Sequence, residues 1–204
     1  MIAIVDYGAG NLRSVCNALK ALDCGHTVTG NPDDLKGAAA VIFPGVGAAA
    51  EAMGELKRLG LDRAISDCVR RGTPLFAICI GMQLLFTSTE EDGGGECLGI
   101  LPGRVRRLPA GLKVPHMGWN QVKQMAKHPV FDGIPDDENF YFVHSYYAAP
   151  EDPSVVAGVT EYGVPLCSMV IQGSIIATQF HPEKSGEVGL RMYQNFVNMV
   201  GRER

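Results

Sequence analysis

The stretch Leu75-Phe76-Ala77-Ile78-Cys79-Ile80-Gly81-Met82-Gln83 sets a thiol between a run of β-favouring apolar residues and the start of a helical pattern. Small residues stand two before it, at Ala77, and two after it, at Gly81. This is the logic of the G-x-S-x-G nucleophile elbow with Cys in place of Ser. A tight strand-to-helix turn strains the backbone at the nucleophile, so bulky flanks would clash, and it pushes the thiol out of the sheet. The helix N-terminus beneath the thiol favours the thiolate. Its free N–H groups can bind an oxyanion. A cysteine in an apolar run is ordinarily a core thiol; the small flanks set Cys79 apart. Cys16 and Cys68 fit helix faces and Cys167 fits a strand, so these are structural.

Outward from the elbow, the first half alternates strand and helix. Apolar runs at Ile2–Val5, His26–Thr29, Val41–Phe43 and Leu75–Cys79 predict strands. Helical spacing predicts helices over Asn11–Leu22, an Ala-rich stretch after Gly47, about Asp62–Arg71, and Met82–Thr87. Such alternation means a parallel sheet covered on both faces. Ligands then bind at the carboxyl ends of the strands, where Asp6–Asn11, Pro44–Gly47 and Cys79–Gln83 fall. Past the polar loop Glu90–Gly95, strands are predicted at Gly103–Leu108, Trp119–Met125, Phe140–His144, Val155–Thr160, Pro165–Gln172 and Ser174–Phe180. Gln172-Gly173 suggests a hairpin turn, and a last helix spans about Gly186–Val200. Arg104, Arg106 and Arg107 read as a solvated strand face. The fold class is α/β: a mostly parallel central sheet flanked by helices, with an additional antiparallel β portion in the second half. Residues 1–204 are expected to form one domain.

A thiol nucleophile needs a base. His181 follows the apolar strand Ile175–Phe180, and Glu183 lies two residues on. Extended backbone points residues i and i+2 the same way, and Pro182 favours extension at His181. Imidazole and carboxylate are therefore expected side by side, with Glu183 orienting His181 and His181 taking the thiol proton. Pro44-Gly45-Val46-Gly47 supplies glycines at a strand end, where backbone N–H groups can approach a ligand. Taken alone, that motif reads equally well as a plain turn.

The composition bounds the rest. The 204 residues are 46% hydrophobic and 20% charged, which excludes an intrinsically disordered chain. The net charge of −4 argues against nucleic-acid binding. No apolar stretch approaches the roughly 20 residues of a membrane span, and Met1–Asp6 lacks the basic start of a signal peptide. A cytoplasmic protein is expected, with no membrane partner. Six cysteines without a CxxC pair imply reduced thiols and no structural zinc.

Ala77–Gln83 together with His181-Pro182-Glu183 resembles the class I (triad) glutamine amidotransferases. Further motifs narrow the resemblance to the glutaminase subunits of imidazole glycerol phosphate synthases. They are Asp6–Leu12, Pro44–Gly47, Pro115–Asn120, Tyr141–Tyr146 and His181–Ser185, and they run through nearly the whole chain. The resemblance implies that Cys79 forms a glutamyl thioester, that His181 is base and acid, and that Glu183 is the third triad member. It implies an oxyanion hole from Gly45, Val46 and Gly47 with the N–H of Ile80. It puts glutamine against Gly47, Gln83, Glu91, Ser145 and Tyr146. It implies a heterodimer with a (β/α)₈-barrel cyclase subunit, met through Gly10, Asn11, Pro115, His116, Met117, Gly118, Trp119, Asn120 and Lys184, with half or more of the aromatics of Tyr141–Tyr147 and Trp119 filling the core instead. No cofactor or metal is implied. Ammonia released from glutamine would pass to the cyclase, which forms imidazole glycerol phosphate and aminoimidazole carboxamide ribotide in histidine biosynthesis. The Pro44–Gly47 strand is expected to be misoriented until the cyclase binds its substrate, because Gly45 and Gly47 tolerate a peptide flip. Ala77 stands where Gly is common in such elbows, and Ile80 where Leu or Val is common; both keep size and polarity. The alternatives are a glutaminase for another acceptor, such as pyridoxal phosphate synthase, a catalytically silent regulatory homologue, or a cysteine hydrolase of similar fold.

Overall fold

The computed structural model describes residues 1–202. In chain order the elements are β1 (Ile2–Val5), α1 (Leu12–Ala21), β2 (His26–Thr29), α2 (Pro32–Lys36), β3 (Ala40–Gly45), α3 (Ala49–Leu59), α4 (Leu61–Arg70), β4 (Leu75–Cys79), α5 (Ile80–Leu84), β5 (Phe86–Thr89), β6 (Gly95–Glu96) and β7 (Leu101–Arg107). There follow β8 (His116–Gln124), β9 (Glu138–His144), β10 (Tyr146–Pro150), β11 (Val156–Glu161), β12 (Pro165–Gln172), β13 (Ile175–Thr178) and α6 (Gly186–Arg202).

The main sheet runs β2-β1-β3-β4-β13-β12-β10-β7-β5-β6, and its first five strands are parallel. The strands β1, β3, β4 and β13 are buried along their whole length, as a sheet covered by helices on both faces requires. Phe76 of β4 packs on Tyr193 and Phe196 of α6, with ring centroids 5.4 and 5.2 Å apart. From β13 onward pairing turns antiparallel, except that β5 and β7 run parallel. A branch carries β11, β8 and β9 away from the main path. In β7, Leu101 and Val105 are buried while Arg104, Arg106 and Arg107 are exposed, so the arginine cluster is a solvated face.

One local expectation needs correction. The helix expected over Met82–Thr87 starts at Ile80 and stops at Leu84; Phe86–Thr89 is strand β5. The β-branched Thr87 and Thr89 favour extension, and β7 offers a partner through Phe86↔Leu101. The strand expected over Phe140–His144 forms as β9, and β10 follows it after Ser145. The helix α2 was not anticipated, because five residues give no periodicity to read. Its start is local chemistry: the Asn31 side chain accepts from the Asp33 N–H at 3.1 Å, and Pro32 occupies the first turn. The turn expected at Gln172-Gly173 joins β12 to β13, with Gly173 at φ +55°.

Candidate active site

β4 ends at Cys79 and α5 begins at Ile80, with no intervening loop. Cys79 has φ +54° and ψ −108°, a strained backbone for a residue with a side chain. The elbow closes only because its neighbours are small. A Cβ on Gly81 would run straight into the Phe43 carbonyl oxygen. A Cβ on Gly45 would lie 2.6 Å from the Tyr7 hydroxyl and 2.8 Å from Ile80 Cβ. Register brings the rest together. Gly45 pairs with Cys79 across β3 and β4, and Thr178 pairs with Ile78 across β13 and β4, so the chain after Thr178 emerges beside the thiol.

His181 Nδ1 lies 2.8 Å from Glu183 Oε1, with the two side chains 1% and 2% exposed. Only His181 itself is extended; Pro182–Lys184 forms a 3-10 turn. The carboxylate is thus returned to the imidazole by a turn rather than by the i, i+2 alternation expected from sequence. Burial works against the charged form of His181, but Cys79 and Glu183 beside it outweigh burial and push its pKa up to about 10. The buried Nε2 makes no hydrogen bond within the protein.

Cys79 and His181 line a cavity of about 300 Å³, with Val46, Gly47, Ile80, Gln83, Glu91, Ser145 and Tyr146 in its walls. The five residues expected to meet glutamine therefore all line one cavity, together with three of the four expected oxyanion residues. Gly45 lies behind the wall, packed against Tyr7 and Ile80. Gly47 has φ +99°, a conformation that favours glycine. Glu91 also accepts from the Ala49 N–H at 2.6 Å, at the N-terminus of α3. A carboxylate is favoured there by the helix dipole. Burial, and Cys79 beside it, raise the pKa of the Tyr7 hydroxyl and hold it in its neutral form.

Two polar arrangements were not foreseen. Gln179 donates from Nε2 to Cys79 Sγ at 3.6 Å, and its Oε1 accepts from Gln83 Nε2 at 3.0 Å. Its place two residues before His181 on the same strand exit was the available signal. The second is a relay across β8 and β9, where His116 pairs with His144. His144 Nδ1 lies 2.8 Å from the Tyr146 carbonyl, so it carries a proton and Nε2 accepts. His116 Nδ1 donates to that Nε2 at 2.9 Å, and His116 Nε2 accepts from Asn120 Nδ2 at 3.2 Å. Burial lowers both histidines to about 4, which keeps the relay neutral.

The chain matches the family described as glutamine amidotransferase class-I over residues 3–200. It belongs to the class-I glutamine amidotransferases. The imidazole glycerol phosphate synthase subunit HisH of Dehalococcoides mccartyi strain CBDB1 is 59% identical over 200 residues, covering 98% of each chain. The subunit of the same name from Moorella thermoacetica is 50% identical over 199 residues, covering 98% of this chain and 95% of its own. Among solved structures, PurLQS from Thermotoga maritima superposes with a TM-score of 0.78 at 19% identity, over 98% of each chain. A structure titled glutamine amidotransferase gives 0.77 at 22% identity, over 98% of this chain and 100% of the other. These two likenesses speak for the fold.

In this amidotransferase the residues expected to meet a partner divide. Met117 and Trp119 are 61% and 58% exposed. Trp119 meets Tyr141 edge-on at 6.1 Å, and Lys184 Nζ stands 5.8 Å from the Tyr141 ring centroid. Pro115 lines the cavity mouth, and Asn120 and Gly118 are half-buried on the same strand. Gly10 lines a second depression of about 540 Å³ that shares Val46 and Gly47 with the first; Asn11 follows it, half-buried. His116 corrects the expectation: it is 3% exposed, and its ring is spent inward on His144. No helix among the described residues is long and apolar enough to cross a membrane.

Proposed function

We propose that this chain is the glutaminase subunit of an imidazole glycerol phosphate synthase, acting as a single amidotransferase domain over residues 1–204. Identity to HisH chains across nearly the full length of both carries the reading. The Cys79–His181–Glu183 cluster at the cavity supports the chemistry.

Glutamine enters the cavity with its carboxamide against Cys79. The raised pKa of His181 favours a thiolate–imidazolium pair before substrate arrives. The thiolate attacks the carboxamide carbon, and the developing oxyanion meets the Ile80 N–H and the Val46–Gly47 backbone. His181 passes its Nε2 proton to the nitrogen as the C–N bond breaks, which releases ammonia and leaves a γ-glutamyl thioester on Cys79. Water, deprotonated by His181, hydrolyses the thioester to glutamate and restores the thiolate–imidazolium pair. Glu183 holds the Nδ1 proton and steadies the imidazolium throughout. Glu91, Gln83 and the Ser145–Tyr146 backbone orient the amino-acid end of glutamine.

Ammonia passes to a (β/α)₈-barrel cyclase in a heterodimer, where imidazole glycerol phosphate and aminoimidazole carboxamide ribotide form. The exposed Met117 and Trp119 and the Lys184–Tyr141 pair suit this contact, since large apolar side chains left in water mark an interaction face. Location in the cytoplasm follows from that pathway. A covalent glutamine analogue should label Cys79, and the labelled peptide should disappear in Cys79→Ala. Labelling that persists in the variant would place the nucleophile elsewhere. Co-purification with a pyridoxal phosphate synthase subunit rather than the cyclase would move the chain to another acceptor.

A further inference from the structure

Gln179 is 1% exposed, and the hydrogen bonds around it settle which way its amide faces. Gln83 Nε2 lies 2.9 Å from the Tyr146 carbonyl, which can only accept. That atom of Gln83 is therefore the NH₂ group. The Gln179 atom it meets at 3.0 Å must then be an acceptor, Oε1. The remaining end of the Gln179 amide, 3.6 Å from Cys79 Sγ, is the NH₂ donor. The backbone fixes the base of the side chain as firmly, because the Gln179 N–H donates to the Ser168 carbonyl at 2.9 Å.

We propose that Gln179 is a positioning residue for the nucleophile, its amide N–H holding the Cys79 sulfur as thiolate on the cavity floor. The idea rests on the reading of Cys79 as nucleophile and deepens it. A hydrogen-bond donor aimed at sulfur favours the anion over the neutral thiol. The donor is set in place before substrate binds, since Gln83 occupies the other end of the amide and is itself tied to Tyr146. His181 contributes charge from the side of the triad, and Gln179 adds a neutral donor that needs no proton transfer. Each turnover returns the sulfur to the anion, and this donor acts at each return.

The test compares Gln179→Met and Gln179→Glu in the full chain by the rate at which iodoacetamide alkylates Cys79 at pH 7, read on the Cys79 peptide by mass spectrometry. Met keeps the length and loses the donor. Glu keeps the shape and the acceptor for Gln83, loses the donor, and sets a like charge beside the thiolate. The expected order is wild type, then Met slower by a few-fold, then Glu slower by about tenfold. The kcat for glutamine should fall in the same order, with KM within about twofold. A merely structural role predicts the reverse, with the isosteric Glu close to wild type and Met the worse. That order, or both rates within twofold of wild type, would overturn the proposal. Should thermal melts show Glu unfolded, the folded Met variant decides alone: slower alkylation supports the donor and an unchanged rate refutes it. Alkylation reads the thiol without glutamine. A wild-type chain that releases no glutamate with the cyclase would therefore count against the function, while the order of alkylation rates still judges Gln179.

Discussion

His181 and Glu183 form a buried pair, with Nδ1 and Oε1 2.8 Å apart and both side chains all but closed to solvent. The pKa of His181 is raised from the ordinary 6.5 to about 10. A group raised in the folded state adds stability that is fully present below the unfolded value and lost as pH rises through the folded one. Stability should therefore decline from about pH 6.5 to pH 10, as followed by denaturant midpoints across that window. Glu183→Gln should flatten the decline. It should also cut glutamine hydrolysis by about 10³-fold by leaving the imidazolium unsupported. A variant with wild-type turnover would remove Glu183 from the triad.

The relay through His116 and His144 has the opposite pH sense. Both are lowered to about 4, so their neutral forms add stability that is present above the unfolded value of about 6.5 and lost as pH falls through 4. Acid denaturation should set in across that window. His144→Phe should reduce the acid sensitivity but cost about 1–3 kcal/mol at pH 7 by leaving His116 Nδ1 without its acceptor. Thermal melts at pH 5 and pH 7 separate the two effects.

Gly81→Ala tests the elbow. The added Cβ collides with the Phe43 carbonyl oxygen, a backbone atom that cannot swing aside. The variant should lose about 1–3 kcal/mol or more and nearly all glutaminase activity. Normal melting and turnover in the Gly81→Ala chain would mean that α5 does not approach β3 this closely.

Trp119→Ala tests the partner face. Trp119 is 58% exposed and touches Tyr141 only at the ring edge, so melting should change by no more than about 0.5 kcal/mol. Affinity for the cyclase should fall about tenfold or more, as expected on truncating an aromatic anchor. Titration calorimetry of the two subunits checks this. Unchanged affinity would remove the strand from the interface.

What was legible in the sequence was what short stretches encode. Cys79, Gly81, His181 and Glu183 lie in two local motifs at strand exits, and the cavity brings Cys79 and His181 together. The buried runs of β1, β3 and β4 announced a parallel sheet for the same local reason. Contacts set by long-range register were not legible. Gln179 reaches Cys79 across 100 residues, and His116 meets His144 only once β8 and β9 pair. Phe86 and Thr87 looked helical because their strand partner, β7, lies farther along the chain. The resemblance assigned His116 to the partner face along with Met117 and Trp119, but the alternation of a strand turns it to the opposite side, inward.

The most direct test of the central claim is glutamate release from glutamine by this chain alone and mixed with the histidine-pathway cyclase and its nucleotide ligand, with Cys79→Ala beside it. Hydrolysis should be slow with the chain alone, strongly stimulated in the mixture, and absent in the variant. Full activity without the cyclase, or stimulated activity that survives Cys79→Ala, would contradict the claim.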